Sequence, residues 1–521
     1  MWRCGLMLRT RVLRFVWKQS YRDLLPPAAA SAYVCGQLRL CDSCAGGGVP
    51  VVLESPSDAA GIYSFSAQST ASAVRALRDV TRSADSLSIT DRRLALDGLA
   101  VLLRENADLL ASADALVTGM CLRDARRSLD AALNFVMFCE QRLRTPTAAE
   151  AEATVVIMKD AASVDAEEVL HSFGCGSVNN LSDSHAVNTP TVKSSVALCV
   201  TAANYPLQWG METLATALLR GSAAVWLPSL DTPLSALWLM HLLHRSNRNA
   251  VAGSREAVNV ILCRADDVVA TFAKQQESGF SIVGLTNGFM DHQLRRIHQA
   301  HGNSSATSHG SISCITRWYH RVMKPSLAIV GSGHHHTETM AVRLDASRVA
   351  ARICQHAFHG NGRMLYALHI AFVPKQDVLS VLQSVVQYVR NLRLGHSLDP
   401  SVNMGPLSGA AHMAAMKETV EAAVCCGDVK LQHVCGGFDV AMPAGFFCLP
   451  CAFYGTVANV APAETEMSIR FLCETTARLR CGLDRLGGGP FVVVCGYDPP
   501  QQREALEVAL RDTEQYVLHY W

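Results

Sequence analysis

Short apolar runs alternate with longer amphipathic stretches through the middle of the chain. The apolar runs cover residues 196–201, 223–227, 258–263, 280–283 and 326–330. Helical stretches at 211–220 and 233–244 lie between them, with apolar residues at helical spacing. Strand, helix and strand in repeated order predict parallel strands joined by right-handed crossovers. The pattern therefore indicates an α/β fold with a doubly wound sheet.

The same alternation returns toward the C-terminus. Apolar runs there cover 371–374 and 491–495, and helical stretches cover 378–392 and 501–510. Before the first of these runs, residues 70–144 have apolar side chains at helical spacing. Thr90 and Asp91 have side chains that can cap the start of a helix there. We therefore predict a helical N-terminal part followed by two strand–helix series.

Composition excludes several classes of protein. The chain has 521 residues, of which 49% are hydrophobic and 17% are charged. A compact domain seldom exceeds roughly 250–300 residues, so two or more ordered domains are expected rather than a disordered chain. A formal net charge of +1 argues against a nucleic-acid binder that depends on bulk positive charge. No uncharged apolar run is as long as the ~18 residues that suggest a membrane-spanning helix, and the 19 cysteines follow no disulfide spacing.

The N-terminus is basic and contains no acidic residue before Asp23. On a helix, Arg11, Arg14 and Lys18 would share one face. An Arg-rich, acid-free amphipathic segment is typical of a mitochondrial transit peptide, and an ordinary basic tail is the alternative. We therefore expect residues 1–45 to be a targeting segment and linker, and the protein to reach the mitochondrial matrix.

Several short motifs follow one another along the chain. They are N-Y-P-L at 204–207, G-S-A-A-V-W-L-P-S-L-D-T-P-L at 221–234, I-V-G-L-T at 282–286, M-G-P-L at 404–407 and G-F-F-C-L-P at 445–450. In this order they resemble motifs of the aldehyde dehydrogenase superfamily, over roughly residues 50–521. The resemblance implies a Rossmann-type cofactor domain at 46–330, with 150–192 as a bridging, oligomerisation-type insertion, and an α/β catalytic-type domain at 331–521.

The resemblance also bears on assembly. Family members continue beyond the point that matches Trp521, with a further loop and a strand that pairs across a subunit interface. The comparison implies that the C-terminal segment is truncated here, which puts the usual oligomerisation of the family in doubt.

The chemistry of the family needs a cysteine nucleophile, an asparagine that stabilises the oxyanion and a glutamate base. The resemblance places Asn204 at the oxyanion position and Gly331 at the base. The family's F-x-x-G-Q-x-C-x-A, anchored on Gly362 and Ala367, places Leu365 at the nucleophile. Leucine and glycine can serve in neither role, and Asn204 alone could instead be a turn residue that holds a strand end.

NAD or NADP accepts the hydride in this family, so the resemblance also implies a cofactor site. The family's cofactor contacts match Leu227, Leu230, Gly284, Leu285, Thr286 and Glu466. Leu227 and Leu230 replace a lysine and a glutamate that hold the adenosine ribose, and Leu285 replaces a serine near the pyrophosphate. These changes predict no bound cofactor, with NAD or NADP as the candidates if one binds.

A metal site is not predicted. His334, His335, His336, His356 and His359 could gather, but their spacing is not that of a known ligand set.

Three functions stay open. The first is a catalytically inactive pseudoenzyme that acts as a scaffold or as a subunit of a mitochondrial complex with protein partners. The second is an active NAD(P)-dependent aldehyde or semialdehyde oxidoreductase that uses displaced residues, with Cys354 as the nearest thiol. The third is a module that binds a metabolite or nucleotide. The first is favoured, because without a nucleophile the oxyanion donor has no covalent step to assist.

Overall fold

Two mixed sheets with flanking helices form the described part of the protein. The computed structural model describes residues 21–27, 30–40, 48–84, 87–144, 196–246, 256–275, 280–286, 315–322, 326–330, 344–364, 366–426, 431–440, 442, 444–457, 462–511 and 517–521. The predicted insertion at 150–192 and most of the predicted targeting segment at 1–45 lie outside these residues.

The first sheet contains seven strands within the described ranges. They are β1 (Ala32–Val34), β2 (Gln37–Arg39), β5 (Val196–Thr201), β6 (Ala223–Leu227), β7 (Val258–Ile261), β8 (Phe280–Thr286) and β9 (Ile315–Val322), and β3 (Val49–Ser55) pairs separately with β4 (Ala60–Ala67). Their order is β2-β1-β7-β6-β5-β8-β9, and β5 to β9 run parallel. The strand order reverses at β5, and in such sheets the crevice beyond the carboxyl ends at the reversal is the usual ligand site.

Helices cover the sheets and the region between them. They are α1 (Thr70–Ala84), α2 (Ile89–Glu105), α3 (Ala107–Thr118), α4 (Leu122–Arg144), α5 (Pro206–Leu219), α6 (Leu234–Ser246), α7 (Ala265–Gln275), α8 (Ala346–Phe358), α9 (Lys375–Asn391), α10 (Ala410–Cys425), α11 (Pro462–Arg485) and α12 (Pro499–Arg511). Alternate residues of β5 enter different cores: Leu198 packs in the cluster with α1, and Cys199 packs in the cluster with α5 and α6. This two-sided burial explains why β5 is apolar at every position but its last.

The second sheet is built from the C-terminal half of the chain. Its strands are β10 (Ser326–Ile329), β11 (Leu368–Pro374), β12 (Gln432–Gly437), β13 (Leu449–Thr456), β14 (Phe491–Tyr497) and β15 (Val517–Tyr520). Their order is β12-β13-β14-β11-β10-β15, and β12 alone among these strands runs antiparallel to its neighbour. The predicted α/β class with parallel strands is confirmed.

The start of α2 differs from the prediction. Ser88, not Thr90, caps the helix: its Oγ accepts a hydrogen bond from Asp91 N at 3.2 Å, and Asp91 Oδ2 accepts one from Ser88 N at 2.9 Å. This reciprocal pair satisfies two main-chain N–H groups at once, which a single capping side chain cannot do. No helix within the described ranges combines the length and apolarity needed to cross a membrane.

Candidate active-site loop and adjoining cavity

A tight loop connects α8 to β11. Its 3-10 helix, His359–Gly362, has positive φ at three successive residues, 55° at Gly360, 62° at Asn361 and 68° at Gly362. A Cβ on Gly360 would lie 1.6 Å from Tyr205 Oη, and one on Gly362 would lie 2.5 Å from a main-chain atom of the neighbouring loop. Glycine is therefore required at both positions by backbone conformation and by close packing.

Asn204 fixes this loop to the carboxyl end of β5. Its side chain is buried, and Nδ2 donates a hydrogen bond to Arg363 O at 2.5 Å. Within the described part of the chain, Asn204 Oδ1 has no hydrogen-bond partner. Asn204 thus lies at the reversal of strand order, where the fold places ligands, but one amide hydrogen is used within the protein.

Arg363 is a buried cation next to Asn204. Its side chain is 2% exposed, and Nη1 donates to Thr118 O at 2.8 Å. Its Nε has no partner among the residues that the structure describes. Burial lowers the pKa of the Arg363 guanidinium to about 10, which leaves it charged at neutral pH. A buried cation is stabilised by hydrogen-bond acceptors, and Thr118 O supplies one for Arg363.

A cavity of about 780 Å³ lies against the loop, between α4, α5, α8 and α9. This volume is within the range of small-molecule sites. The described residues that line it are Arg123, Asp124, Arg127, Ser128, Asp130, Ala131, Tyr205, Gln208, Gln355, His356, Phe358, His359, Met364, Tyr366, Tyr388, Asn391, Leu392, Asn403 and Met404. Tyr205 is 1% exposed and marks the inner wall, whereas the exposed Arg123 and Arg127 mark the opening.

Tyr205 has a strained backbone. Its φ is 123°, a region that residues with a side chain rarely occupy, and such strain is found most often at functional sites. Its Oη has no hydrogen-bond partner among the described residues. Burial raises the pKa of Tyr205 well above its ordinary value, so the phenol is neutral and can donate a hydrogen bond.

Asp124 links the cavity wall to the loop. Its buried carboxylate accepts a hydrogen bond from Gly360 N at 3.1 Å and lies 3.4 Å from both His359 Nδ1 and Arg123 Nε. Burial lowers the pKa of His359, and the Asp124 charge opposes that effect without overcoming it. His359 therefore lines the cavity as a neutral imidazole at pH 7.

The opening of the cavity carries both signs of charge. Arg123 and Arg127 lie one turn apart on α4, and Arg123 is engaged with Asp124. Arg127 forms no ion pair with any described residue, and the carboxylate of Asp130 also lines the opening. Arg127 is thus the cation most available to a ligand.

A sequence model described as the aldehyde dehydrogenase family matches residues 52–288 and 321–468, which is more than half of the chain. The chain belongs to the aldehyde dehydrogenase family.

Similar solved structures agree on the aldehyde dehydrogenase fold. A mutant aldehyde dehydrogenase from Pseudomonas syringae, solved with NAD+ and octanal, superposes with a TM-score of 0.66 at 18% identity, covering 95% of this chain and 85% of that one. Betaine aldehyde dehydrogenase from Staphylococcus aureus, a point mutant solved with NAD+, gives a TM-score of 0.64 at 16% identity, covering 92% and 81% of the two chains.

Relatives found by sequence similarity match a smaller part of this chain. The sequence is 28% identical to mouse cytosolic 10-formyltetrahydrofolate dehydrogenase over 285 residues, which is 53% of this chain and 28% of that protein. It is 27% identical to a betaine aldehyde dehydrogenase of Cereibacter sphaeroides over 284 residues, which is 53% of this chain and 51% of that one. The matched part therefore spans about half the length of these relatives or less.

The two positions matched to the aldehyde dehydrogenase nucleophile and base, Leu365 and Gly331, lie outside the described residues, so their assignment stays a prediction. Counting the family motif from Phe358 instead would place Met364 at the nucleophile, and Met364 lines the cavity. A thioether carries no acidic proton and cannot form the thiolate that this chemistry needs. Both countings therefore place a residue without a thiol at that position.

The thiols nearest the loop are buried. Burial raises the pKa of Cys121 to about 12 and that of Cys354 still further. Neither residue lines the cavity, and none of the described lining residues is a cysteine. These thiols stay protonated at neutral pH, and protonated thiols are poor nucleophiles.

The family resemblance places the cofactor contacts of this chain near the carboxyl ends of β6 and β8. Leu227 ends β6 and is fully buried in the core cluster with Val225 and Leu198, and Leu230 is partly buried against the other core. Hydrocarbon side chains cannot bond to ribose hydroxyls, so Leu227 and Leu230 do not fit the adenosine ribose of NAD(P).

The remaining predicted cofactor positions give little support for an NAD(P) site. Gly284, Leu285 and Thr286 form the carboxyl end of β8 next to β5, as the fold predicts. Glu466 lies in α11, and its Oε1 accepts a hydrogen bond from Arg470 Nη2 at 2.9 Å. An ion pair on the same helix thus already engages the Glu466 carboxylate.

Of the five histidines considered as possible metal ligands, those at 334–336 lie outside the described residues. Across the described ranges no group of three His, Cys, Asp or Glu side chains could hold a metal ion. His356 instead packs against Trp521 with the two rings tilted and their centroids 5.2 Å apart.

Sequence reasoning missed Asp124, Tyr205, Arg127 and Arg363 as site residues. Asp124 and Gly360 are 236 positions apart in the chain, so no local pattern joins them. The available signal was an acidic residue followed by the basic pair Arg126 and Arg127, a pattern that usually indicates a solvated helix face.

Proposed function

We propose that this chain is an aldehyde dehydrogenase-like protein that does not oxidise aldehydes. The observation that carries the proposal is the cavity wall, where Met364 lies beside the loop and no described lining residue is a cysteine. Without a thiolate there is no covalent adduct from which hydride could leave. The predicted substitutions Leu365 and Gly331 point the same way.

The predicted cofactor positions support the same proposal, because they are expected to bind NAD(P) weakly. Leu227 and Leu230 would leave ribose hydroxyls unpaired, at a cost of about 1–3 kcal/mol for each lost contact. Two such losses together cost about 2–6 kcal/mol, which weakens binding by roughly thirtyfold to twenty-thousandfold. A micromolar dissociation constant for NAD or NADP is therefore not expected.

Calorimetric titration with NAD and NADP, together with an absorbance assay for NADH over a panel of short aldehydes, tests the proposal. No turnover and no micromolar dissociation constant are expected. Turnover by the purified protein would overturn the proposal and support an oxidoreductase with displaced residues. Cys354→Ala and Cys121→Ala would then show which thiol is used.

The retained cavity favours a ligand-binding role as the second candidate. Its volume suits a metabolite, and its lining combines aromatic side chains with charged and polar ones.

A scaffold or subunit role in a mitochondrial complex is the third part of the proposal. It rests on the basic, acid-free N-terminus and on the loss of catalytic groups. Residues 1–45 fused to a reporter should direct it to mitochondria, and cytosolic fluorescence would contradict the localisation. Affinity purification from mitochondria should recover protein partners in stoichiometric amounts.

A further inference from the structure

We propose that the short 3-10 helix Tyr21–Leu24 is an N-terminal strap, which holds segment 393–404 in place beside the cavity and is released by acid. The proposal goes beyond the function above, because it requires neither catalysis nor a ligand in the cavity. It follows from a chain of hydrogen bonds that joins Tyr21 to Asp58 and His396.

A single phenol fixes the strap to two other parts of the protein. Tyr21 Oη donates a hydrogen bond to Asp58 Oδ2 at 2.7 Å and lies 2.9 Å from His396 Nε2. The rings of Tyr21 and His396 also stack, with centroids 6.1 Å apart and an interplanar angle of 21°. Asp58 lies in the turn between β3 and β4, and His396 follows α9, so the tyrosine joins three segments that are distant in the chain.

The same bonds assign the protonation state of His396. Its Nδ1 accepts a hydrogen bond from Leu398 N at 3.2 Å, so Nδ1 carries no proton. The proton of the neutral imidazole is therefore on Nε2, which donates to Tyr21 Oη. Burial raises the pKa of Tyr21 to about 12, and the hydrogen bond to Asp58 adds to this effect, so the phenol keeps its own proton. Each of these donors thus has an acceptor.

Segment 393–404 connects the strap to the cavity. Its two ends are bonded to each other, because Arg393 N donates to Asn403 Oδ1 at 3.2 Å. Within it, Ser397 O accepts a hydrogen bond at 2.9 Å from the main chain of Leu122, the first residue of α4. Asn403 lines the cavity. Release of the strap should therefore loosen this segment as a unit, together with part of the cavity wall.

Acid should release the strap, because His396 would become a donor at both ring nitrogens. A proton on Nδ1 would face the N–H of Leu398 and end the hydrogen bond between them. Two acids, Asp58 and Asp399, favour the charged ring, and Tyr21 is a further titratable neighbour. Burial outweighs the two acids and lowers the pKa of His396, so the imidazole is neutral at pH 7. Once released, the ring titrates near its ordinary value of about 6.5, so release becomes easier as the pH falls below about 6.5.

Hydrogen exchange of the full chain, read by mass spectrometry, tests the strap. Tyr21→Phe keeps the ring and removes both hydrogen bonds of the hydroxyl, so peptides spanning 393–404 should exchange about tenfold faster at pH 7. Trp238→Phe is the matched control, because Trp238 Nε1 donates to Leu24 O at 2.8 Å and so holds the other end of the same helix. This control should leave exchange in 393–404 unchanged.

A pH series tests the acid release. After correction for intrinsic exchange rates, the protection of 393–404 in the parent should fall severalfold between about pH 7 and about pH 5.5. His396→Gln keeps a side-chain donor but cannot titrate, so its protection should stay constant over this range. Peptides from β14 report global unfolding and provide the reference for local opening.

The outcomes decide both parts of the proposal. Faster exchange of 393–404 in Tyr21→Phe but not in Trp238→Phe supports the strap, and unchanged exchange in Tyr21→Phe or equal exchange in the two variants overturns it. The same acid dependence in the parent and in His396→Gln overturns the release by His396. Thermal melting shows that each variant is folded, and Asp58→Asn, which weakens the same chain at its other end, replaces Tyr21→Phe if that variant does not fold.

Discussion

Asn204 Nδ2 donates a hydrogen bond to the main-chain oxygen of Arg363, 2.5 Å away. Asn204, which the family resemblance places at the oxyanion position, thus supports the loop that precedes the predicted nucleophile position. Both readings of Asn204, as an oxyanion donor and as a turn residue, place it at the same strand end. Because this hydrogen bond is observed, the structural role of Asn204 can be measured by substituting the residue.

Asn204→Asp should destabilise the protein by about 2–4 kcal/mol at neutral pH, because a carboxylate cannot donate to Arg363 O and would be buried beside it. Asn204→Ala removes the donor without adding charge and should cost less, about 1–3 kcal/mol. Urea unfolding followed by circular dichroism measures both values. Equal stability of Asn204→Asp and the parent protein would refute this role.

Gly360→Ala should cost more than about 3 kcal/mol in the free energy of unfolding. The new Cβ would meet Tyr205 Oη at 1.6 Å, in a backbone conformation with φ of 55°. Gly482→Ala is the control, because a Cβ there meets nothing within 4 Å inside α11. It should stabilise the protein by up to about 1 kcal/mol. Similar effects of the two substitutions would show that the loop is not tightly packed.

His412 should make the protein less stable in acid. Burial, reinforced by the Arg363 charge, lowers the pKa of His412 to about 3, while its Nε2 lies 2.6 Å from Gly488 O. Since the unfolded chain binds this proton near pH 6.5, stability present above that pH is lost progressively as the pH falls toward 3.

The slope of this loss can be measured against a variant. In the window between those two values, the parent should lose about 1.4 kcal/mol per pH unit more than His412→Gln does. Denaturant unfolding at several pH values gives the difference directly. Parallel pH profiles for the two proteins would contradict the assignment to His412.

Restoring the two predicted catalytic groups should not restore oxidation. Leu365→Cys with Gly331→Glu returns a thiol and a carboxylate, but Leu227 and Leu230 still cannot hold the ribose. Met364→Cys with Gly331→Glu covers the other counting of the motif. NADH formation from short aldehydes should stay at background in both double variants. Turnover by either would place the loss of function in these residues alone.

Much of the fold could be predicted from the period of apolar residues. The predicted strands at 196–201 and 223–227 coincide with β5 and β6, because strands buried on both faces are apolar along their length. The short strands β1 and β2 lie within 1–45, where only a targeting segment and linker were predicted; they were missed because three residues give too little pattern. The full extent of α11, Pro462–Arg485, was also missed, because its exposed apolar side chains, among them Met467, blur the helical period.

The cavity could not be predicted in the same way. Asn204 was found because a motif surrounds it, and motifs are local in sequence. Asp124, Tyr205 and Arg127 gain their roles from the packing of α4 against the loop, which depends on tertiary contacts. The strained φ of Tyr205 has no sequence signal, because strain is imposed by the surroundings.

The loop between α8 and β11 is bonded to both halves of the chain. Asn361 Nδ2 donates to Gly119 O at 3.1 Å and to Pro406 O at 2.6 Å, and Arg363 reaches Thr118 O. A segment clamped in this way cannot open by itself, so its amide protons should exchange with solvent only when the whole protein unfolds. The two sheets would then melt in a single cooperative transition, because the loop between α8 and β11 links them.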